Sequence, residues 1–507
     1  MSNISRRSFF EGTAAGAALL TGVSAVQAQP QKAAEPKWDM ETEVLVVGGG
    51  YGGLPAAVKA ARLGKKAIVI DKRFWLGGDG LMSMGIFYSY KNRFHEAAGI
   101  KEELTLDQYF ARITSGEADE PMSKVRDNQK LSVIYDGIFK HDPKVLYAAS
   151  KVLPETIDLL DGYGVKFKPF NSANYFQFPT LPGSMSIFVK GMVDELAAKN
   201  VPIIKGLRAT EIIMDGERVA GIRAEYVSGA KKGTEVRIKA RSVIIGTGGF
   251  VNNKEMMVHY KRYWSTVDIG FDGLGSGMAM DHTGDGILMG RDIGAALEDM
   301  ESMPKFYNGT YDKSPSISWI MFDVDTAYFI APNGRRMLNE FESRYTGCLL
   351  ALMQKGIKEG GRILFDEATF RSNNRDRWSL DKVMAAGNIF KADTPEELAR
   401  LAGLDPQALK ETIERINEDA RNGRDTEFGR KDPLFRELKA PYYITKPNYP
   451  FCYKTEGGLE VNPDFQVLRA KDLKPIPGLF AVGAACGSIS AHMCDAVAAG
   501  LIAGEKA

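Results

Sequence analysis

The run Glu43-Val44-Leu45-Val46-Val47 enters Gly48-Gly49-Gly50-Tyr51-Gly52-Gly53, and it constrains the fold more than any other stretch of the chain. An apolar, β-branched segment leads into a G-x-G-x-x-G turn at Gly48, Gly50 and Gly53. A helix of small residues is predicted over Ala56 to Leu63. A second apolar strand follows and ends in Asp71. Strand, turn, helix, strand and acid in that order make a βαβ dinucleotide-binding unit. Gly48 permits the tight turn, Gly50 lets backbone approach a pyrophosphate, and Gly53 lets the helix pack close to the strand. The helix N-terminus offers free N–H groups and partial positive charge to phosphates. Asp71 is placed to accept hydrogen bonds from a ribose. A glycine-rich turn without a ligand is the bland alternative, and the flanking strands, helix and acid count against it.

Ser5-Arg6-Arg7-Ser8-Phe9-Phe10 is a twin-arginine pattern, followed by a weakly apolar stretch from Gly12 to Ala25. Val26-Gln27-Ala28 sets small residues where a signal peptidase cuts, so residues 1–28 read as an export signal handled by the twin-arginine translocase. That apolar stretch is far short of the about 20 residues that span a bilayer. Residues 29–40 read as a flexible lead. The expected location is the periplasm, with no stable membrane insertion.

At 507 residues the chain is too long for one compact core. Lysine and arginine number 65 against 64 acids, a balance that does not suggest nucleic-acid binding. The cysteines are Cys348, Cys452, Cys486 and Cys494, with no C-x-x-C pair and no C-x-x-C-H haem motif. No metal site is expected.

A second Gly-rich loop, Gly77 to Gly85, can run close to a flat ligand. Residues 105–200 read as mostly helical, with amphipathic runs at Pro143 to Leu160 and Gly183 to Lys199. Thr210 to Met214 and Val219 to Tyr226 form a hairpin about an Asp215-Gly216 turn. Strands Val236 to Lys239 and Ser242 to Ile245 lead into Gly246-Thr247-Gly248-Gly249-Phe250. Residues 299–440 differ in texture, with strands near Trp319 and Ala327 and helices over Thr394–Ala402 and Pro406–Asn422. Ile476 to Ala481 is a buried strand entering Gly483, and a last helix covers about His492 to Ala503. The predicted class is α/β. A Rossmann-like nucleotide domain is assembled from residues 41–298 and 441–507, around an inserted α+β capping domain at 299–440.

These motifs, with Gly284-Asp285-Gly286, Gly334-Arg335-Arg336-Met337-Leu338-Asn339-Glu340 and Thr455-Glu456-Gly457-Gly458-Leu459, resemble the fumarate reductase/succinate dehydrogenase flavoprotein superfamily. That superfamily also holds urocanate reductases and 3-ketosteroid dehydrogenases. The resemblance covers residues 41–507. It implies FAD held by Gly48, Gly50, Gly52 and Gly53, by Asp71 and Lys72, and by Gly77, Gly78, Asp79, Ser83 and Gly85. Ala209, Thr247, Gly248, Gly249, Asp285 and Gly483 complete the implied set. It further implies that the last helix aims its positive N-terminus at the flavin. Members with covalent FAD carry a histidine near the first Gly-rich loop. Gly77 to Gly85 has none, so FAD is expected to be noncovalent.

The same resemblance makes Arg336 the candidate proton donor, with Arg335 as the lesser choice. A structural ion pair with Glu340, one helical turn on, is the alternative. The fumarate-type clamp is altered. Tyr453-Lys454, Lys305-Phe306-Tyr307 and Ala491-His492-Met493 stand where histidines and an arginine are usual, so Lys454, Tyr453 and His492 are candidate substrate-binding residues. Cys494, near the last helix's N-terminus, reads either as a thiol of lowered pKa or as a packing residue, and Cys452 has no assigned role. The reading is an FAD-dependent reductase of an activated C=C bond in an enoate or enone other than fumarate. Its electrons come from a separate c-type cytochrome or quinol-linked carrier. The alternatives are a ketosteroid-dehydrogenase-like enzyme that introduces a C=C next to a carbonyl, and a flavin-binding protein without turnover.

Overall fold

The computed structural model describes residues 37–83, 85–97, 99, 105–108, 110, 142–167, 177–181, 183–260, 281–301, 305–310, 327–340, 361–369, 384–385, 387, 389–430, 435–489 and 492–507. At 305–310 and 448–454 only the backbone is described. The export signal, the strand predicted near Trp319, and Cys348 and Ala491 lie outside these residues. Everything below concerns the compact unit Trp38–Ala507.

The fingerprint folds as read. Strand β1 (Met40–Val47) buries all of Val44 to Val47, because it runs through the middle of a sheet covered on both faces. Helix α1 (Gly53–Arg62) turns its alanines inward, and β2 (Ala67–Asp71) returns parallel to β1 with Val44 opposite Ala67. Helices α2 (Pro143–Gly162) and α3 (Ser184–Ala198) follow, the first capped by Asp142, whose carboxylate accepts the Lys144 N–H. Then come β3 (Ile203–Lys205), the hairpin β4 (Leu207–Asp215) and β5 (Arg218–Tyr226), and β6 (Glu235–Ile245). The two strands predicted at 236–239 and 242–245 are thus one. Helix α4 spans Asp285–Asp292.

Strands β7 (Tyr328–Ile330), β8 (Arg362–Asp366), β9 (Ile389–Ala392) and β10 (Tyr442–Thr445) make a separate antiparallel sheet in the order β7-β8-β10-β9. Helices α5 (Pro395–Ala402) and α6 (Pro406–Arg421) cover one face of it, where Tyr328, Ile330, Leu364 and Ile444 meet Leu398, Leu409 and Ile413. Each of these helices opens on an N-cap followed by proline, Thr394-Pro395 and Asp405-Pro406.

Strands β11 (Gln466–Leu468) and β12 (Pro475–Ala481) then rejoin the first sheet, and α7 (Met493–Lys506) ends the chain. The eight-stranded sheet runs β11-β12-β6-β1-β2-β3, with the β4–β5 hairpin attached to β6. Its central five strands, β12 to β3, are parallel. The architecture is α/β, with a nucleotide-type sheet drawn from both ends of the chain. Helix α7 lies directly on α1. A Cβ on Gly500 would stand 2.2 Å from the Gly52 carbonyl oxygen, and one on Gly504 would stand 2.3 Å from that of Ala56. Among the described residues, no helix is long and apolar enough to cross a membrane.

Candidate active site at the glycine turns

Four glycine segments converge at the C-terminal ends of β1, β6 and β12. Gly48 adopts φ +108°, and a Cβ there would lie 2.3 Å from the Gly246 oxygen, so the first two turns press against each other. A Cβ on Gly53 would fall 1.9 Å from the Gly48 oxygen, which fixes the close seating of α1 on β1. The Gly77 N–H donates to the Gly49 oxygen at 2.7 Å. A Cβ on Gly78 would reach the Gly50 Cα at 3.4 Å, and one on Gly52 would lie 3.2 Å from the Gly483 nitrogen. Gly50, in the middle of this ring, is the exception: among the described residues, nothing lies within 4 Å of where its Cβ would be. The motif's central glycine faces open space while its neighbours are packed to contact. That is the cradle a pyrophosphate needs.

Asp71 closes the βαβ unit, as expected. One carboxylate oxygen accepts the Gly49 N–H at 2.7 Å and the other accepts the Arg73 N–H at 2.8 Å. Burial pushes its carboxyl above the ordinary range, and these two N–H groups pull it back. Lys72 does not stand free for a phosphate. Its Nζ donates to Thr283 Oγ1 at 2.8 Å and to Asp285 at 3.0 Å. Arg208 grips the same carboxylate through Nη2 at 2.7 Å and Nε at 3.2 Å. Burial works against ionisation of Asp285, but Arg208 and Lys72 more than offset it and hold its pKa below the ordinary range. Sequence reasoning had no signal for Arg208, on a hairpin strand 77 residues from Asp285.

Other expected contacts serve the turns themselves. The Ser83 hydroxyl donates to the Gly80 oxygen at 2.8 Å. Gly85, at φ +68°, lies against Thr180, and Ala209 is buried in β4. Thr247 Oγ1 accepts the Gly286 N–H at 3.2 Å. A Cβ on Gly249 would meet Thr455 Oγ1 at 2.2 Å, and that hydroxyl accepts the Phe250 N–H. The Thr455-Glu456-Gly457-Gly458 motif therefore abuts the second glycine turn. Asp79 is paired with His282, a residue that no pattern in the sequence singles out.

The start of α7 differs from the bare positive end that the resemblance implies. Asp495 sits buried in its first turn and accepts a hydrogen bond from the Tyr88 hydroxyl. A carboxylate there offsets much of the helix's partial charge. His492 is exposed at the N-cap, its ring edge-on to Tyr88 with centroids 5.7 Å apart. Burial pushes the Cys494 thiol up, which fits the favoured reading of a packing residue and not a thiol of lowered pKa.

Arg336 sits in a buried ion-pair cluster. Its side chain is 1% exposed, and all three guanidinium nitrogens face carboxylates. Nε and Nη2 bond Glu340 at 2.9 and 2.7 Å, and Nη1 lies 2.9 Å from Asp425. The rings of Tyr328, Phe428 and Phe435 pack around it. Burial alone would lower its pKa, but Glu340 and Asp425 reverse that and make it a still weaker acid. The structural ion pair is the arrangement observed, with Asp425 as an unforeseen third member. Arg335 is exposed and pairs with Glu411.

Tyr453, Lys454, Lys305 and Tyr307 are known by backbone register alone. They share one antiparallel ribbon, Lys305–Thr310 against Asn448–Lys454, with Lys305 opposite Lys454 and Phe306 opposite Cys452. The side chains of the expected clamp lie outside the described residues.

A family model for an FAD binding domain matches residues 43–501. The chain belongs to this FAD-binding family. Its cofactor is FAD, and the open cradle at Gly50 fits the dinucleotide's pyrophosphate. A urocanate reductase of Eggerthella lenta is 28% identical over 511 residues, covering 94% of this chain and 77% of that protein. An NADH:fumarate oxidoreductase of Klebsiella pneumoniae is 26% identical and covers 92% of this chain; the chain spans only 47% of its length. The solved open conformation of a flavocytochrome c3 fumarate reductase superposes with a TM-score of 0.71 at 22% identity, over 92% of this chain and 78% of that one. The family and the reductase relatives support an FAD-dependent oxidoreductase acting on CH–CH bonds, and the structural likeness shows the shared fold.

Proposed function

We propose that the protein is an exported FAD-dependent reductase of an activated C=C bond in an enoate or enone. FAD, when bound, supplies the hydride. The chain's own residues position the cofactor and the acceptor. The observation that carries this reading is the ring of glycine turns around the open Gly50 position, joined to the Thr455–Gly458 motif through Gly249. The backbone there can lie flat against a dinucleotide, and the 305–310/448–454 ribbon runs straight into Thr455. Because Gly77–Gly85 carries no histidine, FAD is held noncovalently. Arg336 keeps its part of the fold together through Glu340 and Asp425.

Fumarate is a poor acceptor on this reading. Two carboxylates need paired cationic or histidine partners to offset their desolvation. The corresponding positions hold Lys454, Phe306 or Tyr307, and His492. A single carboxylate or carbonyl on an aromatic or cyclic skeleton suits one lysine flanked by tyrosines. The test is an anoxic screen of enoates, enones, aryl acrylates and fumarate with reduced viologen as electron source. Saturable oxidation of the dye by a monocarboxylate or enone, with fumarate slower, is the expected result. Fast fumarate reduction at micromolar concentrations would refute it.

A further inference from the structure

Half-buried Asp79 and buried His282 pack against each other where the Gly77–Gly85 loop, the Gly246–Gly249 turn and the segment leading into α4 converge. His282 Nε2 lies 3.0 Å from Asp79 Oδ2. A Cβ on Gly248 would stand 2.7 Å from the same ring nitrogen, so the second glycine turn makes room for the imidazole. Asp79 follows Gly78, which touches Gly50 in the cradle. The far atoms of the pair, His282 Nδ1 and Asp79 Oδ1, are both buried and have no hydrogen-bond partner among the described residues. Buried polar atoms are rarely left unpaired. Two of them, on adjoining side chains beside a nucleotide cradle, mark the place of a missing polar group.

We propose that Asp79 and His282 form a tautomer-coupled pair that holds a hydroxyl of the bound dinucleotide through His282 Nδ1 and Asp79 Oδ1. The inference rests on the FAD reading of the cradle and adds to it a residue, a contact and a proton count. The chemistry follows from the 3.0 Å bond, which needs one proton. If Asp79 carries it, Nε2 is the acceptor and the neutral ring must bear its hydrogen on Nδ1, which then donates. If Asp79 is ionised, the hydrogen sits on Nε2 and Nδ1 accepts. A hydroxyl satisfies both states, because it donates and accepts. A phosphate oxygen satisfies only the first, and an ionised Asp79 repels it.

The surroundings keep the pair from charging fully. Burial pushes Asp79 up to about 7, with Arg73 opposing and Asp281 reinforcing. Burial pushes His282 down to about 3, helped by Arg73 and Lys72. Arg73 is turned towards Asp281 at 2.9 Å and stands 3.9 Å from Asp79 Oδ1, beyond hydrogen-bond reach. Lys72 is engaged with Asp285, which Arg208 also holds. The imidazole therefore stays neutral across the physiological range, and only its tautomer changes.

The test is a double-mutant-type cycle on the holoprotein. Affinity is measured by flavin fluorescence for FAD and for FAD analogues that each lack one ribityl or ribose hydroxyl. Wild type, His282→Ala and His282→Gln are compared. One analogue is expected to bind wild type about tenfold more weakly than FAD, and that deficit should vanish in both variants. ¹⁵N spectra of histidine-labelled protein should show His282 passing from the Nδ1–H to the Nε2–H tautomer near pH 7. Asp79→Asn should hold it in the Nδ1–H form. If every analogue loses the same affinity in wild type and variants, a buried water fills the place and the inference falls, while FAD binding itself stands. Failure of wild type to bind FAD would instead sink the cradle. A doubly protonated His282 at neutral pH would overturn the tautomer coupling.

Discussion

A side chain at position 50 would enter open space, whereas one at position 53 would enter the Gly48 carbonyl. Gly50→Val is therefore expected to fold with a near-normal melting temperature and to purify colourless, since the branched Cβ fills the pyrophosphate's place. Gly53→Ala should lose folded protein. Flavin absorbance and thermal melts of the two variants check this. For Arg336, removing the guanidinium takes the closest cation from two buried carboxylates, leaving Glu340 to Arg430 at 3.4 Å and Asp425 to backbone N–H groups. Arg336→Gln should cost about 3–5 kcal/mol of stability, while turnover per bound flavin in the surviving folded fraction stays near normal. A drop of a hundredfold per flavin would restore Arg336 as a donor. The Asp79–His282 pair gives a third prediction, in the apoprotein. From about pH 4 to 6.5 the folded pair holds one proton on Asp79 and the unfolded chain holds one on His282, so wild-type stability has no slope from this pair. Asp79→Asn leaves only the depressed histidine, so stability should fall as pH drops below about 6.5. His282→Gln leaves only the raised carboxyl, so stability should fall as pH rises from about 4 to 7. Each slope is bounded by about 1.4 kcal/mol per pH unit, and denaturant melts across that window read both signs. The glycines were legible because spacing alone dictates what they must do. Arg336 was not, because a local pattern gives a residue's type and its neighbour Glu340 but not Asp425, 89 residues away. His282 was silent in the sequence, since its meaning lies in a partner about two hundred positions earlier.

At the scale of elements, α1 and α7 approach until backbone touches backbone, with Gly500 and Gly504 as the points of contact. Gly504→Val is expected to lift α7 from α1. Because α7 begins just after the Gly483 turn, it should lower flavin occupancy together with melting temperature. A variant that melts earlier but keeps full flavin would show that the helix contact and the cradle are uncoupled. The elements most readable beforehand were those with strong end signals. Thr394-Pro395 and Asp405-Pro406 mark two helix starts, and Asp215-Gly216 marks a hairpin turn. Strand β3, only three residues long and ending in a lysine, carries no such pattern; it exists because β2 needs a neighbour. The unbroken β6 was split in the reading because Ala240 and Arg241 interrupt its apolar run, though the ladder to β1 continues through them.

At the scale of the whole molecule, the sequence offers one nucleotide fingerprint, the one assigned to FAD. Turnover of an active acceptor should therefore proceed with a reduced periplasmic cytochrome fraction and fail with NADH or NADPH alone. Efficient turnover with either nicotinamide would overturn the proposal of a separate carrier. The order of strands in the large sheet has a further consequence. β12 follows β6 and β11 in the chain yet lies between them, and α7 comes later still to cover α1. A nascent chain that has emerged only as far as Leu468 holds the fingerprint but lacks one wall of the cradle and its lid of helix. The cradle cannot close before the segments Pro475–Ala481 and Met493–Lys506 have emerged. FAD capture thus waits for them, so on the exported reading a threaded, unfolded passage would deliver an empty protein and a folded passage a loaded one.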